Sequence, residues 1–140
     1  KIAFICFFHD IALENEEQAR IKSKEELRTS KLEPKARELV DKHAQVAAEL
    51  VHKYPHSPMG ADQIIRQHHG VLNGVGFSEH FGAKLSPMAL VFLVAEEYTR
   101  LILAHENEKL DSKALIKELR TCFTTNRLQK IIDLVEQISL

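Results

Sequence analysis

Proline and glycine are few, and they cluster between apolar runs of helical period. No run alternates apolar with polar residues for long enough to make a strand, so the chain reads as all-α. Pro34 suits the first turn of a helix, and Tyr54-Pro55 closes that helix. Ser57-Pro58 and Ser86-Pro87 read as helix starts, with each serine as the predicted N-cap. Gly70, Asn73-Gly74 and Gly76 break the chain into a loop. Asp111, and then Thr125 or Asn126, are the predicted caps of the last two helices.

Within this frame the apolar run Ile2-Ala3-Phe4-Ile5-Cys6-Phe7-Phe8 predicts a buried helix near residues 1–12, ending in His9-Asp10. Residues 14–31 are charge-dense and predict a solvated helix or a mobile loop. Leu39, Val40, His43, Val46, Ala47, Leu50 and Val51 form an apolar stripe of helical period, and His43 lies on it. Ile64 and Ile65 lead to His68-His69 at a helix end, and Glu96-Glu97 lie in the helix that follows Ser86-Pro87.

The 140 residues fit one domain with a sizeable core. A formal charge of −1 and the lack of a basic run give no footprint for DNA. Cys6 and Cys122, both in apolar sequence, are expected as reduced core residues of a cytoplasmic protein. No stretch approaches the ~20 apolar residues of a membrane span. Lys1 followed by the apolar run resembles a signal-peptide core, but no small-residue cleavage site follows and His9-Asp10 interrupts it. The chain is therefore expected to be the C-terminal part of a longer one.

The residues that carry chemistry are His9, Asp10, His43, His68, His69 and Glu96. Neutral imidazole and carboxylate suit iron, manganese or zinc, and a buried carboxylate is costly unless paired or bound to metal. Ligands projecting inward from several helices are how bundles build metal sites. Two neighbouring metals need a bridging carboxylate, for which Asp10 is the candidate, and such a pair polarises a phosphodiester and activates water. Each residue has a plainer reading. A lone histidine on an apolar stripe, like His43, is more often a hydrogen-bonded core residue. His68-His69 at a helix end can simply favour the dipole. Glu96 can pair with Arg100 at i, i+4 on an exposed face.

Phe7-Phe8-His9-Asp10-Ile11-Ala12-Leu13 resembles the signature of the HD superfamily of metal-dependent phosphohydrolases. His43, then Gln67-His68-His69-Gly70, then Asn73-Gly74-Val75-Gly76-Phe77 resemble the ordered motifs of its HD-GYP subfamily: a lone His, HHE and DGSGYP. Leu93-Val94-Ala95-Glu96-Glu97-Tyr98 is similar to its later helix, where an Ala-Asp pair supplies a carboxylate. The resemblance covers roughly residues 4–103. It implies an HD-domain helical bundle over residues 1–140 with a metal site in its core. It implies His9, Asp10, His43, His68, His69 and Glu96 as ligands of two metal ions, with iron expected and manganese or zinc as alternatives. It implies Asp10 as the catalytic bridge, with Asn73, Gly74, Gly76, Phe77 and Arg100 facing the substrate.

The activity implied is phosphodiesterase hydrolysis of cyclic di-GMP. The partners implied are that cyclic dinucleotide and an upstream sensory or receiver domain, with a homodimer compatible and neither DNA nor membrane expected. An additional histidine ligand would lie upstream of Lys1. This sequence departs from the family at several points: the lysine after the HD pair is Leu13, the HHE acid is Gly70, the GYP tyrosine is Phe77 with its proline lost, and the late Asp is Glu96. The metal ligands thus persist better than the substrate contacts, and weak or altered turnover is expected. The alternative is a catalytically inactive module on the same fold that senses a cyclic dinucleotide or docks a protein. A third reading is a plain helical scaffold.

Overall fold

The structure, a computed structural model, describes residues 1–81, 84–105 and 111–138. Among the described residues every regular element is an α-helix: α1 (Ile2–Phe8), α2 (Glu16–Ala19), α3 (Lys24–Thr29), α4 (Pro34–Lys53), α5 (Ala61–Arg66), α6 (Pro87–Ala104), α7 (Ser112–Cys122) and α8 (Asn126–Ile138). No described helix is long and apolar enough to cross a membrane. The chain divides into two compact units, residues 1–89 and 90–140, with the boundary inside α6.

The first unit is organised by α4. Pro34 occupies its first turn, as its fixed φ and missing N–H allow. Its buried stripe is Val40, His43, Ala44, Ala47, Ala48 and Val51. The stripe is turned slightly from the one expected: Leu50 is half-exposed, and the small Ala44 and Ala48 face inward instead. α5 packs on α4 and on α1, while α2 and α3 pack on α4.

Three expectations are corrected here. α1 is not a buried helix: only Ile5 is buried, and Phe7 is 83% exposed. Both cysteines are exposed, Cys6 on that outward face and Cys122 at the end of α7 with its Sγ 3.5 Å from Glu97 Oε1. Ser57 does not cap a helix. The backbone turns there, and α5 starts at Ala61 after Gly60 in the left-handed region, where glycine carries no Cβ penalty.

The charge-dense segment folds into α2 and α3. Asn15 caps α2 by accepting the Gln18 N–H, and Gln18 is buried with its Oε1 accepting the Glu14 N–H. Ser23 caps α3 by accepting the Glu26 N–H at 3.1 Å, and the Glu26 carboxylate reaches back to accept the Lys22 N–H at 2.7 Å. This is close to the reciprocal capping box, shifted by one residue. Ile21, Leu32, Val40 and Phe77 form a buried apolar cluster against which Leu13, Leu27 and Ala36 pack.

In the second unit α7 and α8 pack together. Asp111 caps α7 as expected, accepting the Lys113 N–H. α8 starts at Asn126, in agreement with a cap at Thr125. Arg120 joins the two helices by donating to Gln129, Asp133 and Glu136. From α7, α8 and the turn between them, Leu115, Ile116, Leu119, Phe123, Leu128 and Ile132 are buried.

Candidate metal centre

Three imidazoles converge in the first unit. His43 comes from the inner stripe of α4, and His68 and His69 from the turn after α5. They are 2%, 0% and 7% exposed, which is unusual for residues of this polarity. His9 and Asp10 follow the C-terminal end of α1. The donor atoms of Asp10, His43, His68 and His69 all lie within 4.8 Å of one another.

Backbone carbonyls fix which imidazole nitrogens face inward. His43 Nδ1 is 2.6 Å from Val40 O, His68 Nδ1 is 2.6 Å from Ile65 O, and His9 Nδ1 is 3.0 Å from Cys6 O. A carbonyl oxygen only accepts, so each Nδ1 carries the proton and each neutral ring presents a bare Nε2 lone pair. The His43 and His68 lone pairs meet each other and a carboxylate, and His69 Nε2 approaches that of His43. His43 Nε2 is 3.3 Å from His68 Nε2 and 3.0 Å from His69 Nε2. Asp10 Oδ1 is 3.3 Å from His43 Nε2 and 3.5 Å from His68 Nε2, while Oδ2 is 3.3 Å from His9 Nε2. Oδ1 is buried and has no hydrogen-bond partner, because the nitrogens facing it have no proton to donate. Lone pairs and an anionic oxygen held together in a buried site repel unless a proton or a metal cation lies among them.

The spacing fits a metal. Bonds of about 2.1 Å place neighbouring donors about 3.0 Å apart in octahedral geometry and about 3.4 Å apart in tetrahedral geometry. The His43 Nε2 separations from His68 and His69, and those of Asp10 Oδ1 from His43 and His68, run from 3.0 to 3.5 Å, within a group whose donors all lie within 4.8 Å. Imidazole nitrogens with one carboxylate suit iron, manganese or zinc. The Nδ1–H bonds to carbonyls supply the outer support that orients ligating histidines.

Electrostatics agree. Burial alone would raise the Asp10 carboxyl; where a proton rather than a metal fills the cluster, N–H bonds from His43, His68 and His9, with the Lys22 ammonium, outweigh burial and hold the group well below the usual carboxylate range. Burial, then His68 and His43, push the His69 imidazole well below its ordinary value, with only partial relief from Asp10. His69 is therefore neutral and able to ligate at neutral pH.

The loop after His69 backs the rings. Phe77 lies 4.5 Å from the His69 ring and 6.3 Å from that of His43, centroid to centroid. Asn73 is exposed and accepts the Val75 N–H, Gly74 O accepts the Gln45 N–H, and the Gly76 N–H donates to Asp41 O. A Cβ at Gly74, whose φ is +77°, would come within 2.9 Å of the Gln45 backbone. Only glycine fits there. Gly70 is equally constrained: at φ +79° a Cβ would meet the Phe81 ring at 2.6 Å.

Glu96 and Arg100 lie on α6 in the second unit, where Arg100 forms a salt bridge with Glu97 at i, i+3. The four-residue group comprises neither Glu96 nor His9, although His9 touches Asp10. Leu13, at the position where the resemblance expects lysine, packs against the apolar cluster. Sequence reasoning missed Lys22, whose Nζ is 3.5 Å from Asp10 Oδ2. It stands in a charge run, where the apolar Ile21 beside it is the sole sequence hint that this point of the segment turns inward. Comparison with protein-family models, with curated proteins and with solved structures finds no match to this chain.

Proposed function

We propose that the protein is a metal-dependent phosphodiesterase of HD-GYP type that hydrolyses cyclic di-GMP with weakened turnover. The observation that carries this reading is the convergence of fixed imidazole lone pairs on the orphaned Asp10 Oδ1. His43, His68, His69 and Oδ1 of Asp10 would hold the first ion, expected as iron with manganese or zinc as alternatives. Oδ2 of Asp10 with His9 would serve a second. Metal held there supplies Lewis-acid polarisation of a phosphodiester and activation of water. Asp10 joins the two sides of the site, and the buried rings exclude bulk water from one side of it.

A second reading is a silent module that binds a cyclic dinucleotide without cleaving it. It is favoured by Gly70, which sits beneath Phe81 where the resemblance expects an acid. Asp10 is thereby left as the one carboxylate of the described cluster.

The test is metal content per chain in protein purified without oxygen, followed by product formation from cyclic di-GMP. Metal together with metal-dependent linear dinucleotide, both lost in Asp10→Ala, is the expected result. Undiminished product in Asp10→Ala, or a wild-type chain that takes up no metal, would sink the proposal. Saturable binding with no product would leave the silent module.

A further inference from the structure

One turn of α4 is bonded through its backbone to a loop far along the chain. In a regular α-helix the N–H of residue 45 donates to the carbonyl of residue 41. Here the Gln45 N–H donates to Gly74 O at 3.0 Å, and Asp41 O accepts from the Gly76 N–H at 2.7 Å. Both groups of that rung, one on each side of His43, thus reach the loop. Just beyond, the Ser78 N–H donates to His69 O at 3.0 Å. Between these bonds lies Phe77, which is buried with its ring backing His69 and His43. Residues 74–78 therefore hold the backbone of His69 to the turn of α4 that carries His43.

The loop is shaped for these bonds. Gly74 and Gly76 both have φ of +77°, which glycine adopts without a Cβ penalty. Gly74 is buried, and a Cβ there would also lie 3.0 Å from Arg66 O. At Gly76 a Cβ would meet Asp41 Oδ1 at 3.4 Å, an ordinary contact, so only the backbone conformation calls for glycine. A loop kept merely to connect α5 with α6 could satisfy its polar groups with water. This one spends them on the two backbone segments whose histidines face each other, with Nε2 atoms 3.0 Å apart. The His43 ring is pinned to Val40 O, so its Nε2 shifts only if this turn of α4 shifts.

We infer that the loop of residues 74–78 is a positioning element that sets the spacing between the His43 and His69 donor nitrogens. The inference rests on the metal-centre reading above and adds the device that holds its geometry. Metal–ligand distances keep to within about 0.2 Å, so a loop shift too small to unfold the chain is enough to spoil the site. Gly76 is the positioning residue open to test, because φ alone requires glycine there.

The experiment measures Co²⁺ affinity and the visible absorption of bound Co²⁺ on the full chain, with thermal midpoints in parallel. Wild type is compared with Gly76→Val, Gly76→Asn and Val51→Ala. Valine resists a positive φ and asparagine tolerates it. Val51 is buried about two turns of α4 beyond His43, so its truncation tests lost stability alone. Gly76→Val is expected to weaken Co²⁺ binding about tenfold or more, as loss of groups that orient metal ligands does, and to alter the absorption band. Gly76→Asn is expected to stay within about threefold of wild type. Val51→Ala is expected to lower the midpoint and leave affinity and band unchanged. Wild-type affinity and band in Gly76→Val overturn the inference and leave the metal centre standing. So does an equal loss of affinity in Val51→Ala, which would tie metal binding to stability in general. Where Gly76→Val does not fold, Gly76→Ala is read by the same criteria. A wild-type chain that takes up no Co²⁺ removes the metal-centre reading itself, and the inference with it.

Discussion

A backbone carbonyl decides what two of the three buried imidazoles, His43 and His68, can do. With Nδ1–H committed to Val40 O, His43 has only a lone pair to offer, and the same holds for His68 through Ile65 O. The second nitrogen of a histidine kept only for packing would face a donor or apolar atoms; here the Nε2 lone pairs of His43 and His68 face each other and Asp10. Gly70 sets the opposite limit. A glutamate there would need φ near +79° and would drive its Cβ into the Phe81 ring, so it cannot act as an added ligand without moving the loop. Strained backbone and overpacking together predict that Gly70→Glu destabilises by on the order of 3 kcal/mol. Urea unfolding measures this, with metal per chain expected to be no higher than in wild type. A variant of wild-type stability that gains metal would contradict the packing argument. His43, His68, His69 and Asp10 were legible in the sequence because each is costly to bury without a partner. Lys22 was not, because a lysine in a charge run is ordinarily solvent-facing and only the fold brings it to Asp10.

Whole elements were legible to the degree that local rules govern them. α4, α6 and α7 begin where Pro34, Ser86-Pro87 and Asp111 place them, because capping and proline geometry are decided within one turn. α1 was misjudged because an apolar run shows composition but not which face meets a neighbour; Ile5 alone turns inward. The segment from Asn15 to Ser30, read as a solvated helix or a mobile loop, is two short helices with buried anchors. Its charges lie outside, while Gln18 and Ile21 anchor it. Its order rests on short caps, which makes the claim testable. Ser23→Ala removes the acceptor of the Glu26 N–H and is expected to cost about 0.5–2 kcal/mol. Hydrogen exchange should quicken over residues 24–29 while the α4 amides stay protected. Equal exchange in both proteins would show that the cap does not hold α3.

For the molecule as a whole, the site couples stability to acidity in one direction. The folded chain keeps His69 neutral well below the ordinary histidine value, whereas the unfolded chain takes up that proton near pH 6.5. The folded chain likewise keeps Asp10 ionised far below the range in which an unfolded aspartate, near 3.8, protonates. In both cases the unfolded state binds more protons as pH falls, so stability declines on acidification, first below about pH 6.5 through His69 and again near pH 4 through Asp10. A metal held by the cluster would steepen the first decline, because protons would compete for the same lone pairs and an ion bound only by the folded chain would stabilise it. Thermal unfolding from pH 7.5 to 5 should therefore show a falling midpoint without metal. With saturating Mn²⁺ the midpoint should be higher at pH 7.5 and fall faster, until the two curves approach each other near pH 5. Replacing Asp10 by alanine should abolish the gap between them. A metal-free midpoint that is flat across this range would mean that His69 is not held neutral by its burial. A gap that persists in Asp10→Ala would place the stabilising ion somewhere other than among these imidazoles.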